Sequence, residues 1–190
     1  MKVFRLVSMV LVLGICVAGT SFGQKTPQYG GARPCKGCHM NPKFGNQFGK
    51  WEKGPHAGAF VTLGTDEAKA VGKKLGVDDP QKADQCLKCH VTSAGKDAKL
   101  VARTAKEAEG VQCESCHGPG SLYRNPSVMN AKKYQADPAG TLEIWKSLGL
   151  IVPDEKVCVT CHNEESPTFK PFKFAERAAE IAHPNPTKKH

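Results

Sequence analysis

Eight of the nine cysteines occur in four copies of one pattern, Cys-x-x-Cys-His, and this pattern carries the chemistry of the sequence. In each copy two residues separate the thiols, the spacing at which they add across the two vinyl groups of haem. The histidine that follows directly reaches back to ligate the iron. The pattern predicts four covalently attached haem c groups, with attachment cysteines and proximal ligands at Cys35, Cys38 and His39; Cys86, Cys89 and His90; Cys113, Cys116 and His117; and Cys158, Cys161 and His162.

Zinc is the alternative ligand for these cysteines. Cys-x-x-Cys pairs form structural zinc sites, and eight thiols suffice for two of them. Every pair in this chain is followed directly by a histidine, which zinc ribbons do not require. That regularity favours haem.

The second axial ligand of each iron is harder to assign, because only three further histidines are present for four irons. We expect His56 and His183 to be distal ligands. His56 lies between small residues that let a haem approach closely; the alternative is a surface histidine in a Gly-Pro turn. His183 ends an amphipathic stripe directly before Pro184, where the alternative role is a partner of the helix dipole.

The remaining candidates for distal ligation are weaker. His190 is the last residue of a lysine-containing tail, where a solvated side chain is the simplest interpretation. Met129 lies in a loop that can fold over a neighbouring haem, either to ligate the iron or to pack against the porphyrin. Methionine ligation would raise the potential of that haem relative to ligation by two histidines. Tyr123 is a further candidate, whereas Met40 follows His39 directly and is poorly placed.

Short helices must position these motifs, since no stretch of the chain shows β alternation. Apolar residues at helical spacing predict helices from Asp66 to Leu75, with Thr65 as N-cap, from Thr141 to Leu148 and from Phe172 to Ala182. Each motif is expected to open or lie on a helical turn. With 39% hydrophobic and 7% aromatic residues the polypeptide core is thin, and buried porphyrins would complete it. The predicted fold is mainly α with extensive coil, a multihaem cytochrome c wrapped around four closely packed haems.

Residues 1–23 are predicted to be a secretory signal peptide. Lys2 and Arg5 precede an uncharged apolar run from Leu6 to Ala18, and Ser21 and Gly23 supply the small residues of a cleavage site. An uncleaved membrane anchor is the alternative, but about 13 residues is short of the roughly 20 that a spanning helix needs.

The mature chain, residues 24–190, is expected to be a single tetrahaem domain whose last part, from about residue 171 to 190, forms a helix and tail. Removal of the signal peptide also removes Cys16, so all remaining thiols belong to the motifs. The predicted location is the periplasm or the space beyond it, without a transmembrane segment in the mature chain. The formal charge of +9 falls to +7, and haem propionates would offset most of it. We therefore expect no nucleic acid partner.

These motifs and their surroundings resemble the tetrahaem cytochrome c-554 family. The most specific stretches are residues 110–120, which include the third motif, and residues 51–57, and the resemblance extends from residue 35 to about residue 183. It implies a mostly helical fold with haems in closely packed pairs, three of them ligated by two histidines and one five-coordinate and high-spin. It also implies distal ligation by His56 and, near the C-terminus, by His183.

The sequence departs from the family at residues 121–129, which contain no histidine where the family can supply one, and this raises the interest of Met129. Because the best-known members take electrons from hydroxylamine oxidoreductase, the resemblance implies electron relay between redox partners, either cytochromes or dehydrogenases. Lysines near the motifs would steer acidic partners, unless they are simply a solvated surface. These lysines are Lys36, Lys43, Lys50, Lys88 and Lys170.

Two other functions remain open. The shortage of distal ligands is compatible with a small reductase that binds a small molecule such as nitric oxide at a five-coordinate haem. The chain could also be a subunit of a larger haem assembly, with His190 ligating a haem of the next protomer. Because no acid–base cluster accompanies the motifs, the electron carrier is preferred over the enzyme.

Overall fold

The structure, a computed structural model, describes residues 25–183. Within that range the regular structure is helical, and β pairing is limited to an isolated parallel bridge between Tyr29 and Val101. This confirms the mainly α fold with extensive coil. The predicted signal peptide and His190 lie outside the described residues. The α-helices are α1 (Arg33–His39), α2 (Gln47–Glu52), α3 (Ala59–Thr62), α4 (Asp66–Lys74), α5 (Asp84–His90), α6 (Cys113–His117), α7 (Ala131–Ala136), α8 (Pro138–Ser147), α9 (Glu155–Cys158) and α10 (Phe174–Ile181), and 3₁₀ turns occupy Pro42–Phe44, Ala98–Leu100 and Glu107–Glu109.

Three of the four Cys-x-x-Cys-His motifs lie on short helices, and the fourth begins on the last residue of one. Helices α1, α5 and α6 end on the histidine of their motif, and α9 ends on the first cysteine of the fourth motif. Local sequence explains these bounds. Pro34 occupies the first turn of α1, where its missing N–H costs nothing. Gly118 ends α6 with a φ of +73°, a backbone conformation that favours glycine.

The longer helices match their predicted positions within a few residues. Helix α4 begins after Thr65, whose hydroxyl accepts a hydrogen bond from the Ala68 N–H at 3.2 Å. Helix α8 begins earlier than its apolar stripe, because Asp137 accepts from the Gly140 N–H at 2.9 Å and Pro138 follows the cap. No helix among the described residues is long and apolar enough to cross a bilayer.

The polypeptide has a thin core of its own. Among residues 25–183, the buried apolar residues are Ala32, Phe48, Leu63, Val91 and Tyr123. Large apolar side chains are left exposed instead, including Val61, Ile144, Ile151, Val152, Val159 and Phe169. Side chains of this kind normally supply the main stabilisation of a fold by leaving water. The distribution fits a protein whose interior is completed by a large apolar group.

A segment ahead of the first motif, residues 26–32, ties distant parts of the chain together; we call it the lead segment. Tyr29 donates from its N–H to the Leu100 carbonyl at 2.7 Å and accepts from the Ala102 N–H at 2.9 Å. Gln28 donates from its N–H to the Ser121 hydroxyl at 2.7 Å. The first motif is therefore held against the chain on both sides of the third motif.

Candidate functional site

All eight motif thiols are free in the structure. No disulfide joins them, and within residues 25–183 no three cysteine, histidine or acidic side chains converge as a metal-ion site requires. A tetrahedral zinc site needs four such ligands around one point. The thiol pairs therefore fit covalent haem attachment better than zinc.

Thiols from different motifs lie beside each other. The thiols of Cys35 in the first motif and Cys113 in the third interact, which lowers the pKa of Cys35 and raises that of Cys113. Burial and the neighbouring Cys161 thiol raise the pKa of Cys89 to about 11, which brings together the second and fourth motifs. An ion pair also joins these two motif regions, between Lys88 and Glu165.

The third and fourth motifs are also neighbours. Burial, with smaller contributions from Cys158 and Cys161, raises the pKa of Cys116. The backbone adds a link, because the Ile151 N–H donates to the His117 carbonyl at 2.9 Å. The motifs therefore follow one another in space in the order first, third, fourth, second, which their order along the chain does not indicate.

Two pairs of histidine rings approach each other edge to face at nearly equal separations. The ring centroids of His56 and His162 lie 6.0 Å apart, and those of His117 and His183 lie 5.9 Å apart. Two imidazoles that bind one metal ion through nitrogen, each at about 2 Å, place their ring centroids about 6.4 Å apart. Each pair joins a motif histidine to one of the two predicted distal histidines at a spacing that suits a shared iron.

Burial favours the neutral form of His56 and His117. It lowers the pKa of His56, with a further contribution from the neighbouring His162. It also lowers the pKa of His117, where His183 adds to the effect. Because the neutral imidazole is the form that ligates a metal, these environments suit ligation.

Several histidines have one ring nitrogen engaged by an acceptor, which leaves the other free. His183 donates from Nδ1 to the Ile181 carbonyl at 2.9 Å, and His90 donates from Nδ1 to the Ala59 carbonyl at 2.7 Å. A hydrogen bond of this kind fixes the tautomer and the orientation of a metal-binding imidazole. In both residues Nε2 is the nitrogen available for iron.

The loop that carries His56 is held by its backbone rather than by the imidazole. The His56 carbonyl accepts from the Val111 N–H at 2.9 Å, and the Trp51 indole N–H donates to the Val111 carbonyl at 2.8 Å. Gly110 has a φ of +65°, and a Cβ there would lie 2.7 Å from the His56 carbonyl oxygen. The two stretches that carried the family resemblance thus pack directly against each other.

Neither His39 nor His90 has a histidine ring facing it in this way within residues 25–183. Met129 is half-buried, and its segment is bound to the Trp145 indole, which donates to the Val128 carbonyl at 2.9 Å. Tyr123 is buried, and its hydroxyl donates to the carbonyl oxygens of His117 and Gly118, both at 3.0 Å. Among the described residues, no recorded hydrogen bond or ring contact joins Met129 to a motif histidine.

One buried polar group at the site was missed by the sequence reasoning. Glu114, between the two cysteines of the third motif, is only 3% exposed. Its carboxylate accepts hydrogen bonds from three backbone N–H groups, those of Gly30, Gly31 and Gly120. The signal in the sequence was an acidic residue inside an attachment motif, with glycines nearby, but its partners in the lead segment lie more than 80 residues away.

Comparisons with known proteins relate this chain to cytochromes. The family model described as cytochrome c554 and c-prime matches residues 34–118. Cytochrome c-554 of Nitrosomonas europaea is 28% identical over 161 residues, an alignment that covers 80% of this chain and 65% of that protein. The solved reduced state of cytochrome c554 from Nitrosomonas europaea superposes with a TM-score of 0.55 at 25% identity, covering 83% of this chain and 79% of that one.

Proposed function

Because the chain belongs to the cytochrome c-554 family and so has covalently bound haem c, we propose that it is a tetrahaem cytochrome that relays electrons between redox partners. The observation that carries the proposal is the pairing of two motif histidines with two further histidines at a spacing that suits a shared iron. Haem supplies one-electron chemistry when it is bound. The roles of the residues are to attach the groups, to ligate them and to hold them close together.

In this proposal each motif holds one haem. The eight motif cysteines form the thioether bonds, and His39, His90, His117 and His162 are the proximal ligands. His56 is the distal ligand for the haem of the fourth motif, and His183 for the haem of the third. The proximity of Cys35 to Cys113 and of Cys89 to Cys161 supports a continuous path, with the first and second motifs at its ends.

The proposed setting is the periplasm, where the predicted signal peptide would deliver the chain, and the proposed partners are other cytochromes or dehydrogenases. Exposed lysines would attract acidic partners into short-lived encounters. Lys43 and Lys50 lie near the first motif and are exposed, whereas Lys36 is within 3.9 Å of Glu52 and Lys88 is paired with Glu165. The first two are therefore better placed to meet a partner's carboxylates.

A second function is favoured by one observation, the lack of a facing histidine for His39 and His90 in the described part of the chain. The irons that His39 and His90 would ligate would be open to a small molecule such as nitric oxide, or ligated by Met129 or His190. A reductase at one of these sites is the alternative proposal. A third proposal, a subunit of a haem assembly, would use His190 to ligate a haem of the next protomer.

The test begins with the purified holoprotein. Its intact mass is expected to correspond to the chain after residue 23 plus four haems, and the double variant C35S/C38S should have one haem fewer. Electron paramagnetic resonance then counts low-spin and high-spin ferric haems, with and without nitric oxide. A mass with fewer than four haems contradicts the tetrahaem assignment, and a protein that reacts with nitric oxide with turnover contradicts the carrier.

A further inference from the structure

A buried, unpaired negative charge lies between the first and third motifs. The Glu114 side chain is 3% exposed, and its Oε1 accepts from the N–H groups of Gly30 at 2.9 Å and Gly120 at 2.7 Å, while Oε2 accepts from Gly31 at 2.8 Å. All three contacts come from donors, which is the set that an ionised carboxylate takes because it can only accept. In the described part of the chain, no cationic side chain lies within ion-pair distance of Glu114.

Glu109, which binds the same lead segment, differs in this respect. Its carboxylate accepts from the Ala32 N–H at 3.2 Å but is also paired with the Arg33 guanidinium at 2.8 Å. That cation offsets the charge of Glu109. Glu114 has no such ion pair: three backbone N–H groups bind it, and the Arg124 guanidinium near Gly30 lies beyond ion-pair distance, so its charge acts on its surroundings through a poorly screened interior.

The groups around Glu114 belong to two attachment motifs. Cys113 is its neighbour in the chain, and the Cys35 thiol lies close enough to Cys113 to shift its pKa. Burial is the main cause of the raised pKa of Tyr123, and the charge of Glu114 is the next cause. The carboxylate is therefore within electrostatic reach of the attachment cysteines of both motifs.

We propose that Glu114 is a potential-setting residue, which lowers the reduction potentials of the haems held by the first and third motifs. The inference rests on the proposed tetrahaem carrier. Ferric haem has one positive charge more than ferrous haem, so a fixed negative charge nearby stabilises the ferric state. The same three hydrogen bonds fasten the lead segment to the third motif, which makes Glu114 a positioning residue as well.

The decisive variant is Glu114→Gln, which keeps the shape of the side chain and removes its charge. We expect the equilibrium constant for reduction to rise at least tenfold at two of the four haems, about 59 mV for one electron. Haem count and redox titration are measured on the same sample, with haem methyl NMR signals to assign each transition. Fewer than four haems in the unmodified protein would refute the proposed function, whereas a Glu114→Gln sample with four haems and unchanged potentials would refute the role of Glu114.

Two matched controls separate charge from position. Thr104→Val removes the hydrogen bond that the Thr104 hydroxyl donates to the Gly30 carbonyl at 2.7 Å, so it loosens the lead segment without changing its charge. Glu107→Gln removes an exposed carboxylate. Both should leave all potentials within threefold in equilibrium constant. If Thr104→Val reproduces the shift, the effect is structural and the proposed charge effect is wrong.

A second variant covers the case in which Glu114→Gln does not mature. Arg124 is an exposed residue whose guanidinium lies beside Gly30, near the Glu114 carboxylate. Its charge opposes that of Glu114 at Cys35. Arg124→Gln should therefore lower the potentials of the same two haems, by less than Glu114→Gln raises them. Potentials that do not fall in this variant would overturn the proposal.

Discussion

Replacing His56 or His183 by alanine should each remove one axial ligand from a different haem. His56 faces His162 at 6.0 Å between ring centroids, and His183 faces His117 at 5.9 Å. Each variant should convert one haem of the proposed four, about a quarter of the total haem and at least a quarter of the low-spin signal, to a high-spin form. The double variant should convert two haems, because the two pairs have no residue in common.

The magnitude depends on the loop staying in place when the imidazole is lost. The His56 carbonyl accepts from the Val111 N–H at 2.9 Å, and Trp51 donates to the Val111 carbonyl at 2.8 Å. Neither bond involves the imidazole, so we expect His56→Ala to leave the loop near the fourth motif. Added imidazole should then enter the vacated space and restore the low-spin signal.

The assay is electron paramagnetic resonance of the fully oxidised protein, with the high-spin signal integrated against total haem. Trp51→Phe is the matched control, because it removes a hydrogen bond of the same loop and keeps the ligand. It should leave the spin count unchanged. An unchanged low-spin count in His56→Ala, or the loss of the same haem in both single variants, would refute the assignment of these pairs.

Three predictions concern stability. Gly110→Ala should displace the His56 loop and raise the high-spin fraction, because a Cβ would lie 2.7 Å from the His56 carbonyl oxygen. The control Gly76→Ala, where φ is +70° but the space is open, should cost only about 1 kcal/mol of stability and leave the spectrum unchanged. Equal spectra for the two variants would contradict this prediction. Phe48→Ala should lower the free energy of unfolding of the holoprotein in urea by about 3 kcal/mol, since Phe48 is 5% exposed, and a loss below about 1 kcal/mol would mean that its site collapses or is not core. Thr65→Ala should cost about 1 kcal/mol in the same titration through loss of the N-cap of α4, and no loss would show that the cap is replaced by water.

The amino-acid sequence determined the chemistry of attachment, because that chemistry is local. Two thiols and an imidazole within five residues need only one helical turn to be correctly arranged, so the spacing in each motif predicts it. Helix α4 is local in the same sense, since Thr65 caps the N–H of a residue three positions later. The mainly α fold followed from the same short-range signals.

The relation between motifs was decided by tertiary structure. Nothing in the spacing of the motifs indicates that Cys35 lies against Cys113, or that Cys89 lies beside Cys161. The first of these contacts depends on the lead segment, whose backbone N–H groups donate to the Glu114 carboxylate more than 80 residues later. Pairings over such separations are set by packing of the whole chain, which local propensity does not contain.

The distal ligands divide in the same way. Small neighbours of His56, and the position of His183 at the end of an amphipathic stripe before Pro184, were enough to predict these two as distal ligands, but not to say which motif each would approach. Only the fold brings His56 to His162 and His183 to His117, and it leaves His39 and His90 without a facing histidine in the described residues. Whether a residue can ligate iron depends on its own type, whereas the motif that it approaches depends on the packing of two distant segments.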